Sequence, residues 1–528
     1  MNRSMRFIMG IGVVSILIPA LAMTVPGGIG SLVPWFGNGF ESQPLFATEP
    51  ANTTAESLAA VGDSLSADTA QTSPEPSAEG LPPPALEIDL ITTTDPTHTT
   101  HSSAEGSSST LDGSGSSTST ASAGGGNPPI APPAGATITD DACPCMVNGT
   151  TELKGDISLH GDIMVMGGTL VARPGVNLNG NGYQIMFMDG GRADFQGTKT
   201  FTWSGNGSNA NLSRDINFRN LRRIMFHEGA GKSTLRYFTI RDSGTSKLGD
   251  YSLHFHLNGN STRGTLVEGV VVVGSKHHSF VPHGSHGITF RDTIAKDGRC
   301  EAYWWDPPEF QSTNQGNNSN DTVYEHALAD GVTNCPGDDR GFRLAAFELG
   351  AGKGNTVRNS VARNVKPSHA KDCAGFKWPE LSDKQPSSWT FTNNASYGSK
   401  CNGIFVWQND SEEHIVNGFT GDDGIDHGAY RNRYEYRNVD VPYAEIHAVG
   451  WSVTGGRIGR VTAFKHNLSG DPVKFVDVTI ESFIVNNAED NGTTPATYVL
   501  SNTGLSCANV VYQSVVPGTK VVIEGNEC

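Results

Sequence analysis

Positive charge is what the first quarter of this chain lacks. No lysine or arginine occurs between Arg6 and Lys154, and most of that stretch is Ser, Thr, Ala, Gly and Pro, as in "SSSTLDGSGSSTSTASAGGGNPP". Such a segment has too little apolar surface to offset the entropy of ordering, which predicts a disordered linker or stalk over 47–138. Long apolar runs are also missing after Val25, so no second membrane-spanning segment is expected. Charged residues are scarce, at 17% of the 528 residues. Thirteen of the 54 acidic and two of the 37 basic residues lie in 1–140, which leaves a net charge of −6 for the rest. Without a basic excess, nucleic acid is excluded as the expected partner.

What is present favours a turn-rich β protein: 63 glycines and 28 prolines. Arg3 and Arg6 precede an apolar run from Phe7 to Val25, and Ala20-Leu21-Ala22 offers a small-x-small cleavage site. This reads as a signal peptide over 1–22, with an uncleaved anchor as the alternative. Eight cysteines in an exported chain favour disulfides. The Cys-Pro-Cys at 143–145 is too tight for a zinc pair. Cys373 and Cys401 fall in one column of adjacent repeats and are expected to pair. Cys300–Cys335 and Cys507–Cys528 complete a sensible set.

A repeat sets in after the linker: "TLRYFTIRDS" at 234, "TLVEGVVVVG" at 265, "TFRDTIAKDG" at 289, "TVYEHALADG" at 322, "TVRNSVARNV" at 356 and "TFTNNASYGS" at 390. Aligned on their first residue, the second position is apolar (Leu235, Leu266, Phe290, Val323, Val357, Phe391). The sixth is small or branched (Val270, Ile294, Ala327, Val361, Ala395). A fixed strand motif with unequal spacing predicts a solenoid, and β-rich units make it a right-handed parallel β-helix. A β-propeller is the runner-up. The predicted organisation is a linker over 23–140, a β-rich cap over 141–233, β-helix repeats over 234–485 and a C-terminal β segment over 486–528. Asn359 and Asn393 share a turn position that suits an asparagine ladder.

The strand "YSLHFHLNGN" at 251 puts His254 and His256 on one face. One coil later stand His283 and His286, and after them Asp306. Two histidines of an H-x-H strand with a third ligand form a workable site for a divalent metal, calcium or zinc. A row of packed histidines is the alternative. The same alignment places Glu268, Asp292 and Glu325 in one column, and Asp297 and Asp330 in another. Paired carboxylates are what a glycosidase needs, although solvated corner positions explain them equally well. Trp304, Trp305, Trp378 and Trp407 are candidate stacking platforms for sugar rings, with core packing as the other explanation. Arg214, Arg219, Arg222 and Arg223 either meet acidic sugars or pair locally. Asp422, Asp423 and Asp426 form a candidate calcium loop, or a solvated acidic one.

"LGDYSLHFHLNGN" and "HGSHGITFRDTIAKDG" resemble the extracellular family that includes the cell migration-inducing and hyaluronan-binding protein and its transmembrane relative. The similarity runs from about 150 to 410 and is strongest at 248–298. It implies a domain named for eight glycines followed by a parallel β-helix, depolymerisation or binding of hyaluronan, and a role for calcium. His254, His256, His283, Asp292 and Asp297 carry over by motif. Where the family has Gly-His-Cys, this chain has Gly298-Arg299-Cys300.

The expectation is therefore a secreted or cell-surface protein that cleaves glycosidic bonds of a uronic-acid polysaccharide. Asp292, Asp297 and Asp306 are the candidate catalytic acids. His254, His256 and His283 are the candidate metal ligands. His286, Arg299, Trp304, Trp305 and Trp378 are candidate substrate contacts. A polysaccharide lyase is the closest alternative, and a non-catalytic carbohydrate-binding or adhesive module is the second.

Overall fold

The computed structural model describes residues 137–138, 145–305, 318–336, 344–368, 373–379, 387–406, 413–427, 433–446, 451–464, 472–488 and 495–528. The signal-peptide and linker readings, Asp306 and Trp407 lie outside these residues. Among the described residues the structure is a parallel β-helix. Short strands separated by turns stack coil on coil, and every named pairing is parallel until the last, Lys520–Ile523 with Asn526–Glu527. The single helical turn among these residues is the 3-10 segment Cys507–Asn509.

Two features of the sequence produce this. Strand residues alternate between the core and the outside, as in Ile163–Met166, where Ile163 and Val165 are buried and Met164 and Met166 are partly exposed. The corners between strands need a left-handed residue, which Asn and Asp accept more readily than other side chains. Asn220, Asp242, Asp292, Asn359, Asn364 and Asn393 all have φ near +50°. Stacked corners bond to one another: Asn502 and Asp477 are both left-handed, and the Asn502 amide donates to Asp477 Oδ1 at 2.8 Å. Asn359 and Asn393 share the left-handed turn that their spacing predicts.

The strands over 145–226 and those after 234 form one continuous ladder. Phe195 pairs with Leu235, and Met225 with His254. The 495–528 segment extends the same stack. The three expected disulfides, Cys300–Cys335, Cys373–Cys401 and Cys507–Cys528, are all formed.

The register corrects two of the six repeats by one residue. The inward column is Leu235, Val267, Phe290, Tyr324, Val357 and Phe391. Leu266 and Val323 are not in it. The second column likewise runs through Val271 and Leu328 rather than Val270 and Ala327. The slip dissolves the expected carboxylate columns. Glu268 pairs with Arg236 and Arg291, and Glu325 with Arg291 and Arg358, so charges alternate in sign along the stack. The Arg291 Nε to Glu325 Oε2 distance is 2.8 Å. Asp330 faces Lys296 at 2.8 Å instead of Asp297.

Inside the stack, aromatic rings lie one above another. Phe280, Tyr303, Phe347 and Phe376 stack at centroid distances of 5.0, 4.4 and 4.8 Å. All are fully buried. Phe347→Ala removes the middle of this stack and is expected to cost about 3–5 kcal/mol. Denaturant unfolding checks this, with a fall in the midpoint at unchanged slope.

Candidate functional site

The six-stranded sheet carries the face of interest. Its strands are Cys145–Val147, Ile163–Met166, Ile185–Met188, Ile224–Phe226, Leu253–Gly259 and Phe280–Ser285, in that order. In the fifth strand Leu253 and Phe255 point into the core, so His254 and His256 point outward. His256 is in register with His283 of the next coil. The structure thus brings three imidazoles together, with one ligand nitrogen from each lying within 4.8 Å of the others. Ring centroids of His256 and His283 are 4.9 Å apart, and those of His254 and His256 5.1 Å. His227, one coil earlier, adds a fourth ring 5.2 Å from His256.

Burial is the main cause of the low proton affinity of His254, and the neighbouring His256 and His283 add to it. A hydrogen bond to the Gly249 backbone opposes them. Its pKa is held well below the usual histidine range, so the ring is neutral at pH 7. A neutral imidazole is the metal-binding form. Two further groups, His277–His278–Cys300 and His278–Glu301–Cys335, have ligand-like spacing. Their cysteines are bonded to each other and offer no thiolate.

The outward face continues past the histidines. The bridge Phe280↔Tyr303 sets Trp304 beside Val281, and the bridge Tyr303↔Phe347 sets Glu348 beside Trp304. Glu348 is in register with Lys377, and Lys377 with Phe405. One outward column therefore runs His254, Val281, Trp304, Glu348, Lys377, Phe405. Trp304 stacks on His278 at 3.7 Å and meets Tyr251 edge-on at 5.6 Å.

Glu301 borders this column, and the sequence reading missed it. Its Oε2 lies 3.3 Å from His278 Nδ1. Burial is the largest influence and the nearby Glu348 charge the second. Together they raise its pKa to about 8, against the opposing pull of Lys377 and backbone N–H groups. At neutral pH Glu301 is a protonated carboxylic acid inside the fold.

The other expected site residues are dispersed. Asp292 and Asp297 sit at left-handed corners beside strands of the larger sheet, not on the histidine face. Asp292 Oδ1 is 2.7 Å from His326 Nδ1, and His326 stacks on Trp203 at 3.8 Å. Asp297 is exposed at a turn, 3.8 Å from Lys296. Both serve corner geometry in this structure. Trp378 is a correction: it is 1% exposed within the core beside Phe391, so neither of its faces is open to a sugar. Trp305 is also buried, against Ala351, and a Cβ on Gly350 would lie 1.9 Å from its ring. Only Trp304 of the described tryptophans named as platforms is partly exposed. His286 accepts the Asn320 N–H at 3.2 Å, and Arg299 is exposed beside Cys300. Arg222 and Arg223 pair with Asp250 at 2.7 and 3.5 Å, and Arg214 donates to the Gly269 carbonyl. Asp422 and Asp423 accept backbone N–H groups of Gly398 and Ser399, and Asp426 accepts from Asn402. The acidic loop is thus engaged in holding turns.

Glu301 also makes stability depend on pH. Its folded pKa lies above the unfolded carboxyl value, so its contribution is full below about 4.5 and is lost as pH rises to about 8. The thermal midpoint is expected to fall between pH 5 and 9, and Glu301→Gln should flatten that slope. Differential scanning fluorimetry across this range measures both.

No family model matches this chain, and no solved structure matches it. It is similar to the human cell surface hyaluronidase CEMIP2, with 26% identity over 192 residues, which is 34% of this chain and 12% of that protein. The chain therefore spans a small part of that relative.

Proposed function

We propose that this protein is a secreted or cell-surface enzyme that cleaves glycosidic bonds in a uronic-acid polysaccharide of the hyaluronan kind. The observation that carries the reading is Glu301, a carboxyl kept protonated beside a column that presents the partly exposed Trp304 and Glu348. A glycosidase needs one carboxylic acid to protonate the leaving oxygen and a second carboxylate to act as base or nucleophile. Glu301 takes the first role and Glu348 the second. Trp304 supplies a stacking surface for a sugar ring. Three disulfides fit an oxidising compartment. Among the described residues no helix is long and apolar enough to cross a membrane. Similarity to a cell surface hyaluronidase supports the substrate class.

His254, His256 and His283 would hold a divalent ion. Their donors are imidazole nitrogens, which suit zinc, whereas calcium takes oxygen ligands. The ion would act as an electrophile for a carboxylate or hydroxyl of the polymer; the histidines fix its position through the register of their strands.

Size-exclusion analysis of hyaluronan and other polyuronates after incubation tests the proposal. Wild type should shorten at least one of them, and Glu301→Gln should lower the rate at least a hundredfold with the fold intact. Activity should decline above pH 8 as Glu301 ionises. Binding without cleavage by wild type would replace the enzyme with a carbohydrate-binding module. His256→Ala should leave the thermal midpoint almost unchanged, because the ring sits outside the core, while abolishing zinc binding by calorimetry. A large loss of stability with zinc binding retained would make the histidines structural.

A further inference from the structure

The chain has ten methionines, four of them at or before position 23. The remaining six, Met146, Met164, Met166, Met186, Met188 and Met225, all lie in the six-stranded sheet that carries the histidines. All six alternate with core residues. Ile163, Val165, Ile185, Phe187, Ile224 and Phe226 belong to the hydrophobic core, and no methionine does.

Strand register lines them up. Met164 pairs with Met186, Met186 with Met225, and Met225 with His254. A second line starts with Met166 paired to Met188. The ladder bond from the His227 N–H to the Phe187 carbonyl, 2.8 Å, carries that line on to His227. It then reaches His256 and His283. Neighbours in each line are about 4.8 Å apart at the backbone, the spacing of paired strands. Both rows of thioethers end on imidazoles.

The choice of residue argues for chemistry rather than cover. β-branched and aromatic side chains are the usual occupants of strands, and the inward positions of these strands follow that rule. The outward positions hold thioethers and imidazoles instead. These donors are soft or borderline. Neither line contains a carboxylate. Thioether ligands select a soft cation such as copper(I), and imidazole, a borderline donor, accepts copper as well as zinc.

We propose that this face is a copper(I)-binding track, which takes the ion along two methionine lines and delivers it to the histidine cluster. The proposal does not depend on polysaccharide cleavage. It involves binding alone, with no change in oxidation state.

The test is anaerobic titration of the full chain with copper(I) in competition with bicinchoninate. Wild type should withdraw more than one equivalent from the chelator. The triple variant Met164→Leu/Met186→Leu/Met225→Leu should lose at least one equivalent, or bind at least tenfold more weakly. Leucine keeps the apolar volume and removes only the thioether, and the cysteines are the same in both proteins. Circular dichroism should give matching thermal midpoints for the two. Zinc binding at the histidines should persist in the triple variant, which separates the track from the divalent site. A wild type that withdraws no copper(I), or a leucine variant that binds it as the wild type does, would overturn the proposal and leave the methionines as apolar packing.

Discussion

In-register parallel hydrogen bonding between coils is the constraint on which everything else in this protein depends. Each coil repeats the backbone path of the one before it about 4.8 Å away, so a side chain's position is set by its place in the coil. A residue is then joined by its equivalents in the coils on either side. Columns of like residues follow inside and outside the stack. The interior column is aromatic, from Phe280 through Tyr303 and Phe347 to Phe376. Its rings hold successive coils in register, because a slip of one residue would exchange core and solvent faces.

A fixed interior leaves the exterior free to carry chemistry. His254, His256 and His283 come from two strands that share one bulged pairing, and no loop has to fold over to assemble them. Trp304 and Glu348 reach the same column from coils attached by isolated bridges. Their outward positions remain aligned. Side chains on rigid ladders keep their spacing without the ordering cost that a flexible loop would incur on binding.

The sequence made the solenoid, the disulfide set and the histidine strand legible, because each depends on local pattern or on repeat spacing. It misled where the pattern was aligned on threonine. Thr234, Thr289, Thr356 and Thr390 occupy the first strand position, but in the coils at 265 and 322 that position belongs to Leu266 and Val323. Thr265 and Thr322 precede it. One residue of error turned an alternating Arg–Glu stack into an apparent column of carboxylates. Trp378 was misread against its own alternation: it shares the inward face of its strand with Phe376, and Lys377 lies between them on the other face. Glu301 was invisible, because its pKa depends on burial and on Glu348 and Lys377, which arrive from later coils. The methionine lines could have been found: "IMVM", "IMFM", "IMFH" and "LHFH" repeat one alternation, with histidine replacing methionine along the series.

One outward column passes from Met225 through His254 and Trp304 to Glu348 and Lys377, from neutral soft donors to hard charged groups. The gradient has an electrostatic consequence. Lys377 is 3% exposed, and a buried cation is tolerated only where carboxylates compensate it. Glu348 is in register with it in the adjacent coil. Burial and the nearby Glu348 charge outweigh the pull of Lys377 on Glu301, which keeps its proton. The methionine end contributes no charge and does not disturb this balance. A single ladder can therefore hold a protonated acid and a neutral ligand cluster on one face, each with the proton affinity that its neighbours in the stack impose.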